Sequence, residues 1–132
     1  MRLMGYTMNE KMKVYPAQRA ALITLTRDEL QRYHYTAGDT EGFVNMPLDI
    51  DGVEFSVFIR EDRDYAKVSL RSVGRFPCNR FAMRHFNGGG HKNASGGEFY
   101  GSLEDAVRTF EQGLQELNPT RFTETAEEEQ AV

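Results

Sequence analysis

Two stretches of strict alternation constrain the fold of this chain more than any other feature. From Val53 to Arg60, Val53, Phe55, Val57 and Ile59 fall on one side, and Glu54, Ser56, Phe58 and Arg60 on the other. From Ala66 to Ser72 the pattern repeats, with Ala66, Val68 and Leu70 opposite Lys67, Ser69 and Arg71. Period two is the signature of strands with two unlike faces. Glu61-Asp62-Arg63-Asp64 turns the chain between them. The second strand sets a cation, a hydroxyl and a guanidinium in one row. Such a row is either a solvated sheet face or one wall of an anion site.

Around this pair the remaining elements can be placed. Ala20 to Leu25 is a short apolar run that reads as a buried strand. Thr26-Arg27-Asp28-Glu29 has the capping-box form, so a helix should run to about Tyr35 and stop before Gly38. Asp39 or Thr40 could cap a short helix through Phe43, Val44 and Met46, limited by Pro47. Asp49-Ile50-Asp51-Gly52 begins like a calcium loop but lacks the later ligands, and a turn is the better reading. Pro77 can open a helix whose residues Cys78, Phe81, Ala82 and Phe86 form a core-facing stripe. Glu98 to Gly101 reads as a short strand or bend. Ser102 then caps a final helix with Leu103, Ala106, Val107, Phe110 and Leu114 at helical spacing. The sum is an α/β fold, a small mixed β-sheet flanked by helices.

Between the last two helices lies Gly88-Gly89-Gly90-His91-Lys92-Asn93-Ala94-Ser95-Gly96-Gly97, in which five of ten residues are glycine. Glycine tolerates positive φ and lets a ligand approach bare backbone, and a turn rich in exposed N–H groups suits an anion. His91 and Lys92 add a switchable donor and a fixed cation. A phosphate-binding loop directly after a helix is one reading; a flexible turn with an incidental histidine is the other. Because a helix C-terminus repels anions, attraction would have to come from the loop and the basic row. His34 and His85 have no partners at ligand spacing and read as surface or packing residues.

Charge supports a small anionic partner. The net charge of −4 conceals four glutamates (Glu124, Glu127, Glu128 and Glu129) near the C-terminus, without which 16 acidic residues face 16 basic ones. Arg60 to Lys92 holds eight Lys or Arg against three acids. That basic middle fits a small anion or a short nucleic acid better than a long duplex. The single cysteine, Cys78, forms no internal disulfide and suits a reducing cytoplasm, and no run is apolar enough for a membrane span. Residues 1–15 show no clear period and read as a connecting segment, 16–117 as the domain, and 118–132 as an acidic, disordered tail.

The chain has no paired cysteines, no His-Glu-x-x-His, no Walker loop and no visible nucleophile–base pair. Taken together, however, Ser69-Leu70-Arg71-Ser72, the apolar helix and the Gly88–Gly97 run resemble the DHH-associated substrate-binding domain of DHH-family phosphoesterases. Asp39-Thr40-Glu41-Gly42-Phe43-Val44-Asn45 resembles the branch of bacterial oligoribonucleases that also hydrolyse 3′-phosphoadenosine 5′-phosphate (pAp). The resemblance runs from Leu3 to about Leu114. It implies an enzyme in which a separate N-terminal Asp-His-His domain binds manganese and activates water. This domain would grip the phosphate of a short single-stranded RNA or nucleotide. It further implies that the chain is a fragment, inactive alone and without a metal of its own, from a cytoplasmic protein with homodimerisation left open.

Carried over by the same resemblance, Arg71 is expected to pair with a substrate phosphate, Gly88, Gly89 and Gly90 to form a backbone platform, and His91 to donate to the phosphate near the metals. Ser69, Lys92, Asn93 and Ser95 are further candidates for phosphate binding. Two other readings stay open. One is the same domain serving longer single strands or cyclic dinucleotides; the other is a non-catalytic nucleotide-binding module.

Overall fold

The computed structural model describes residues 2–34 and 42–117. Six strands form one mixed sheet in the order β1-β2-β3-β4-β6-β5. They are β1 (Met12–Tyr15), β2 (Ala20–Leu25), β3 (Phe55–Glu61), β4 (Ala66–Ser72), β5 (Gly89–His91) and β6 (Ala94–Phe99). Only β2 and β3 run parallel; the other pairs are antiparallel. The two alternating stretches are therefore neighbours, with Phe58 opposite Ser69 and Ser56 opposite Arg71.

Helices lie on both faces. On one, α3 (Cys78–His85) and α4 (Leu103–Gln115) cover Phe55, Val57, Ile59, Val68 and Leu70 with Phe81, Ala82, Phe86, Phe110 and Leu114. The expected stripes of both helices supply this core, and Ser102 accepts from the Asp105 N–H as the cap of α4. Pro77 precedes α3 rather than occupying its first turn. The opposite face is covered across β2 and β3 by α1 (Arg2–Tyr6), α2 (Arg27–Arg32) and the 3-10 helix Phe43–Asp49. Leu3, Ile23, Leu25, Leu30, Phe43, Val44 and Phe58 form that second core.

Residues 2–15, read from sequence as a connecting segment, are instead packed into this layer. Leu3 is buried, and Met12–Tyr15 extend the sheet as an edge strand. Glu29 explains the attachment. It closes the capping box with Thr26, accepts from the Lys11 ammonium at 3.0 Å and takes the Tyr6 hydroxyl as donor. Burial works against its ionisation, but the Tyr6, Lys11 and Thr26 donors prevail and hold the carboxyl down to about 2. These partners lie outside the periodic stretches, so alternation could not announce them. α2 is shorter than expected, with His34 in the left-handed region (φ 54°) just after it. The proposed caps Asp39 and Thr40 and the tail 118–132 lie outside the described residues.

Candidate functional site

The glycine run is a hairpin rather than a loop. β5 pairs with β6 through Gly89–Gly96, Gly90–Ser95 and His91–Ala94, leaving Lys92 and Asn93 as the turn. That turn is tied to the segment joining β4 to α3. The Cys78 N–H donates to the Lys92 carbonyl (2.8 Å), the Ser72 N–H to the Asn93 carbonyl (3.1 Å), and the Asn93 amide to the Ser72 hydroxyl (2.9 Å). The left-handed residue at the end of α3 is Asn87 (φ 49°), not Gly88. Gly88 meets a different demand, since a Cβ there would stand 1.9 Å from the Gly96 carbonyl oxygen. Gly97 is similar, its Cβ position being 2.3 Å from the Phe86 carbonyl. Close backbone packing thus accounts for these two glycines. Gly89 is different: its nearest neighbour would be the Met83 Cγ at 3.8 Å, so nothing in the fold forbids a side chain there.

Cross-strand register then assembles a floor. Residues paired across strands share a face. Ser56, Arg71, Ala94 and His91 form one row, and Phe58, Ser69, Gly96 and Gly89 the next. Lys67 and Glu98 follow. This half of the face borders an open groove of about 1080 Å³, whose lining includes Arg60, Lys67, Ser69, Arg71 and the backbone of Gly88, Gly89 and Gly90. Glycine and alanine on β6 keep its centre low, with Arg71 on one side. In the present state Arg71 donates through Nη1 to the carbonyls of Leu70 (2.8 Å) and Ser95 (3.2 Å), which fixes the guanidinium at the floor. His91 is exposed and lies two strands away, about 10 Å between backbones, with Ala94 between them.

The structure therefore gathers Ser69, Arg71, Gly88, Gly89 and Gly90 at one groove and sets His91 on the same face by register. The other expected residues are placed differently. Ser95 lines the groove too, but its side chain is buried with its hydroxyl 3.3 Å from the Cys78 sulfur, and it reaches Arg71 by its carbonyl. Asn93 is engaged with the β4–α3 segment, donating also to the Gly74 carbonyl. Lys92 sits at the turn with its carbonyl occupied. His85 lies away from the groove, packed on Phe81, and burial lowers its pKa. Tyr65 and Glu98 line the groove and were not singled out from sequence, although Tyr65 continues the parity of Lys67, Ser69 and Arg71.

Chemically, three cations, a hydroxyl and exposed backbone suit a phosphorylated ligand, with Arg71 able to make forked contacts. Among the described residues no three of His, Cys, Asp and Glu gather as metal ligands, and no helix is long and apolar enough to cross a membrane. With Arg60, Lys67 and Arg71 against the carboxylate of Glu98 among the described lining residues, the groove suits an anion better than a cation.

Residues 21–116 match the family model for the DHHA1 domain. The Bacillus subtilis bifunctional oligoribonuclease and PAP phosphatase NrnA is 35% identical over 89 residues, covering 67% of this chain and 28% of that protein. A crystal structure of an exopolyphosphatase-related protein from Bacteroides fragilis superposes with a TM-score of 0.86 at 57% identity, covering 91% of this chain and 35% of that one. A pGpG-specific phosphodiesterase, PggH from Vibrio cholerae, shares the fold at 20% identity (TM-score 0.62), covering 88% of this chain and 38% of that one. The chain spans less than a third of the curated NrnA relative. With the family model matching most of its length, the chain belongs to the DHHA1 family, the DHH-associated domain of DHH phosphoesterases.

Proposed function

We propose that this domain is the substrate-binding portion of a metal-dependent phosphoesterase acting on short oligoribonucleotides and on pAp. The observation that carries the reading is the open groove, with Ser69 and Arg71 on β4 facing the glycine strands of the hairpin. Arg71 holds a terminal phosphate, the Gly89 backbone lies against the nucleotide, and His91 donates from the far side of Ala94. Lys92 adds charge at the turn. Ser95 and Asn93 serve the site by fixing Arg71 and the hairpin. Manganese, which activates water for attack on phosphorus, belongs to a DHH domain facing this groove, in a reducing cytoplasm. The names of the NrnA relatives favour this substrate class over cyclic dinucleotides.

The test is an NMR titration of the chain with pAp and, separately, with adenosine. The expected result is that pAp shifts the Arg71 and Gly88–His91 amides while adenosine does not. Arg71→Ala should weaken pAp binding by about tenfold or more, the scale of a charge-assisted hydrogen bond. Equal binding of pAp by Arg71→Ala would overturn the assignment.

A further inference from the structure

The rows of the groove floor are two residues apart, about 6.7 Å along the strands. From Arg71 and Ala94 the register passes through Ser69 and Gly96 to Lys67 and Glu98. The residues next in this progression are Tyr65 and Tyr100. Their ring centroids are 5.9 Å apart with planes inclined at 35°. Tyr65 lines the groove, and Tyr100 is 66% exposed. The Tyr100 hydroxyl donates to the Glu98 carboxylate.

An aromatic pair at a strand end can serve simply to hold the strands together. Such a pair has no need to open onto a groove or to leave one ring largely in solvent. The chemistry of the floor adds a second argument. Beside the tyrosines Glu98 offers a carboxylate acceptor, with Lys67 paired across from it. A nucleobase suits that end, because its flat face stacks on an aromatic ring and its polar edge can meet an acceptor. The distance from the Arg71 row to the tyrosines is about 20 Å, room for more than one nucleotide.

We infer that the Tyr65–Tyr100 end of the groove is a base-stacking subsite, taking a nucleobase beyond the first nucleotide of a substrate whose terminal phosphate is held at Arg71. The inference rests on the phosphate reading given above. It makes the groove a measure of substrate length, since pAp fills the phosphate end alone while a dinucleotide reaches both ends.

The test uses calorimetric titration of the whole chain with pAp, with the dinucleotide pApA, and with a pApA analogue lacking the second base. The unsubstituted chain should bind pApA more tightly than the abasic analogue. Tyr65→Ala should weaken pApA binding roughly 5- to 100-fold, the range of one base–aromatic stack, and leave pAp within about twofold. Tyr65→Phe should keep the unsubstituted affinity, and Tyr100→Ala should act in the same direction as Tyr65→Ala with a smaller loss. Equal weakening of pAp and pApA by Tyr65→Ala would show a structural role and overturn the subsite. So would Arg71-dependent binding in which pApA is no tighter than its abasic analogue. Failure of both pAp and pApA to bind in an Arg71-dependent way overturns the phosphate reading, and this subsite with it.

Discussion

One face of the sheet carries two different surfaces. Across β1, β2 and β3 it presents Met12, Ile23, Leu25 and Phe58, and α1, α2 and the 3-10 helix cover it. Across β4, β6 and β5 it presents Lys67, Ser69, Arg71, Ala94 and Gly96, and it opens onto the groove. The pleat is continuous across both halves. Composition makes the difference. Apolar side chains gain by leaving water, whereas burying an unpaired ammonium or guanidinium is costly and glycine has no side chain to bury. The site therefore lies where the sheet had least to gain from being covered. Phe58, in the covered core yet lining the groove, marks the border.

The sharpest way to break this comparison is to truncate one side chain on each surface. Leu25→Ala in the covered half should cost about 2–5 kcal/mol, read by urea denaturation, while Ser69→Ala in the open half should change stability by less than about 0.5 kcal/mol. Equal losses would mean that the open half is also a packed surface. The glycines give a finer division. Gly88→Ala drives a Cβ against the Gly96 carbonyl and should destabilise the hairpin by about 1–3 kcal/mol, as overpacking does. Gly89→Ala has room and should fold normally while weakening pAp binding, because its methyl stands on the platform rather than in the core. Amide exchange of β5 and β6 beside a pAp titration separates the two effects.

The last expected effect concerns acid. Glu29 is held down to about 2 from a usual value of 4.5, so the stability it contributes is fully present above about pH 4.5 and is lost as the pH falls towards 2. Glu29→Gln should flatten the stability profile in that window and leave the groove unaffected. An unchanged acid limb would remove Glu29 as the tie between the N-terminal segment and α2.

Much of the architecture was legible because it follows from local periodicity. Alternation located β4 and most of β3, the Thr26 and Ser102 caps marked the starts of α2 and α4, and the stripe from Cys78 to Phe86 identified the face of α3 turned to the core. The segment 2–15 was not legible, since its attachment depends on Glu29, 18 residues beyond Lys11 and 23 beyond Tyr6. The hairpin was missed for a related reason. Glycine has no side-chain pattern to read, and β5 exists because β6 pairs with it.

For the site the division is similar. Sequence alone marked the candidate residues: the row of Lys67, Ser69 and Arg71, and the run of glycines around His91. Tertiary structure decided which of them meet. It turned the Ser95 hydroxyl inward to Cys78, engaged Asn93 with the β4–α3 segment, and set Tyr65 at the end of the basic row. The physical reason is that period two fixes the face on which a residue lies, whereas strand order and register, settled by long-range pairing, fix what lies beside it.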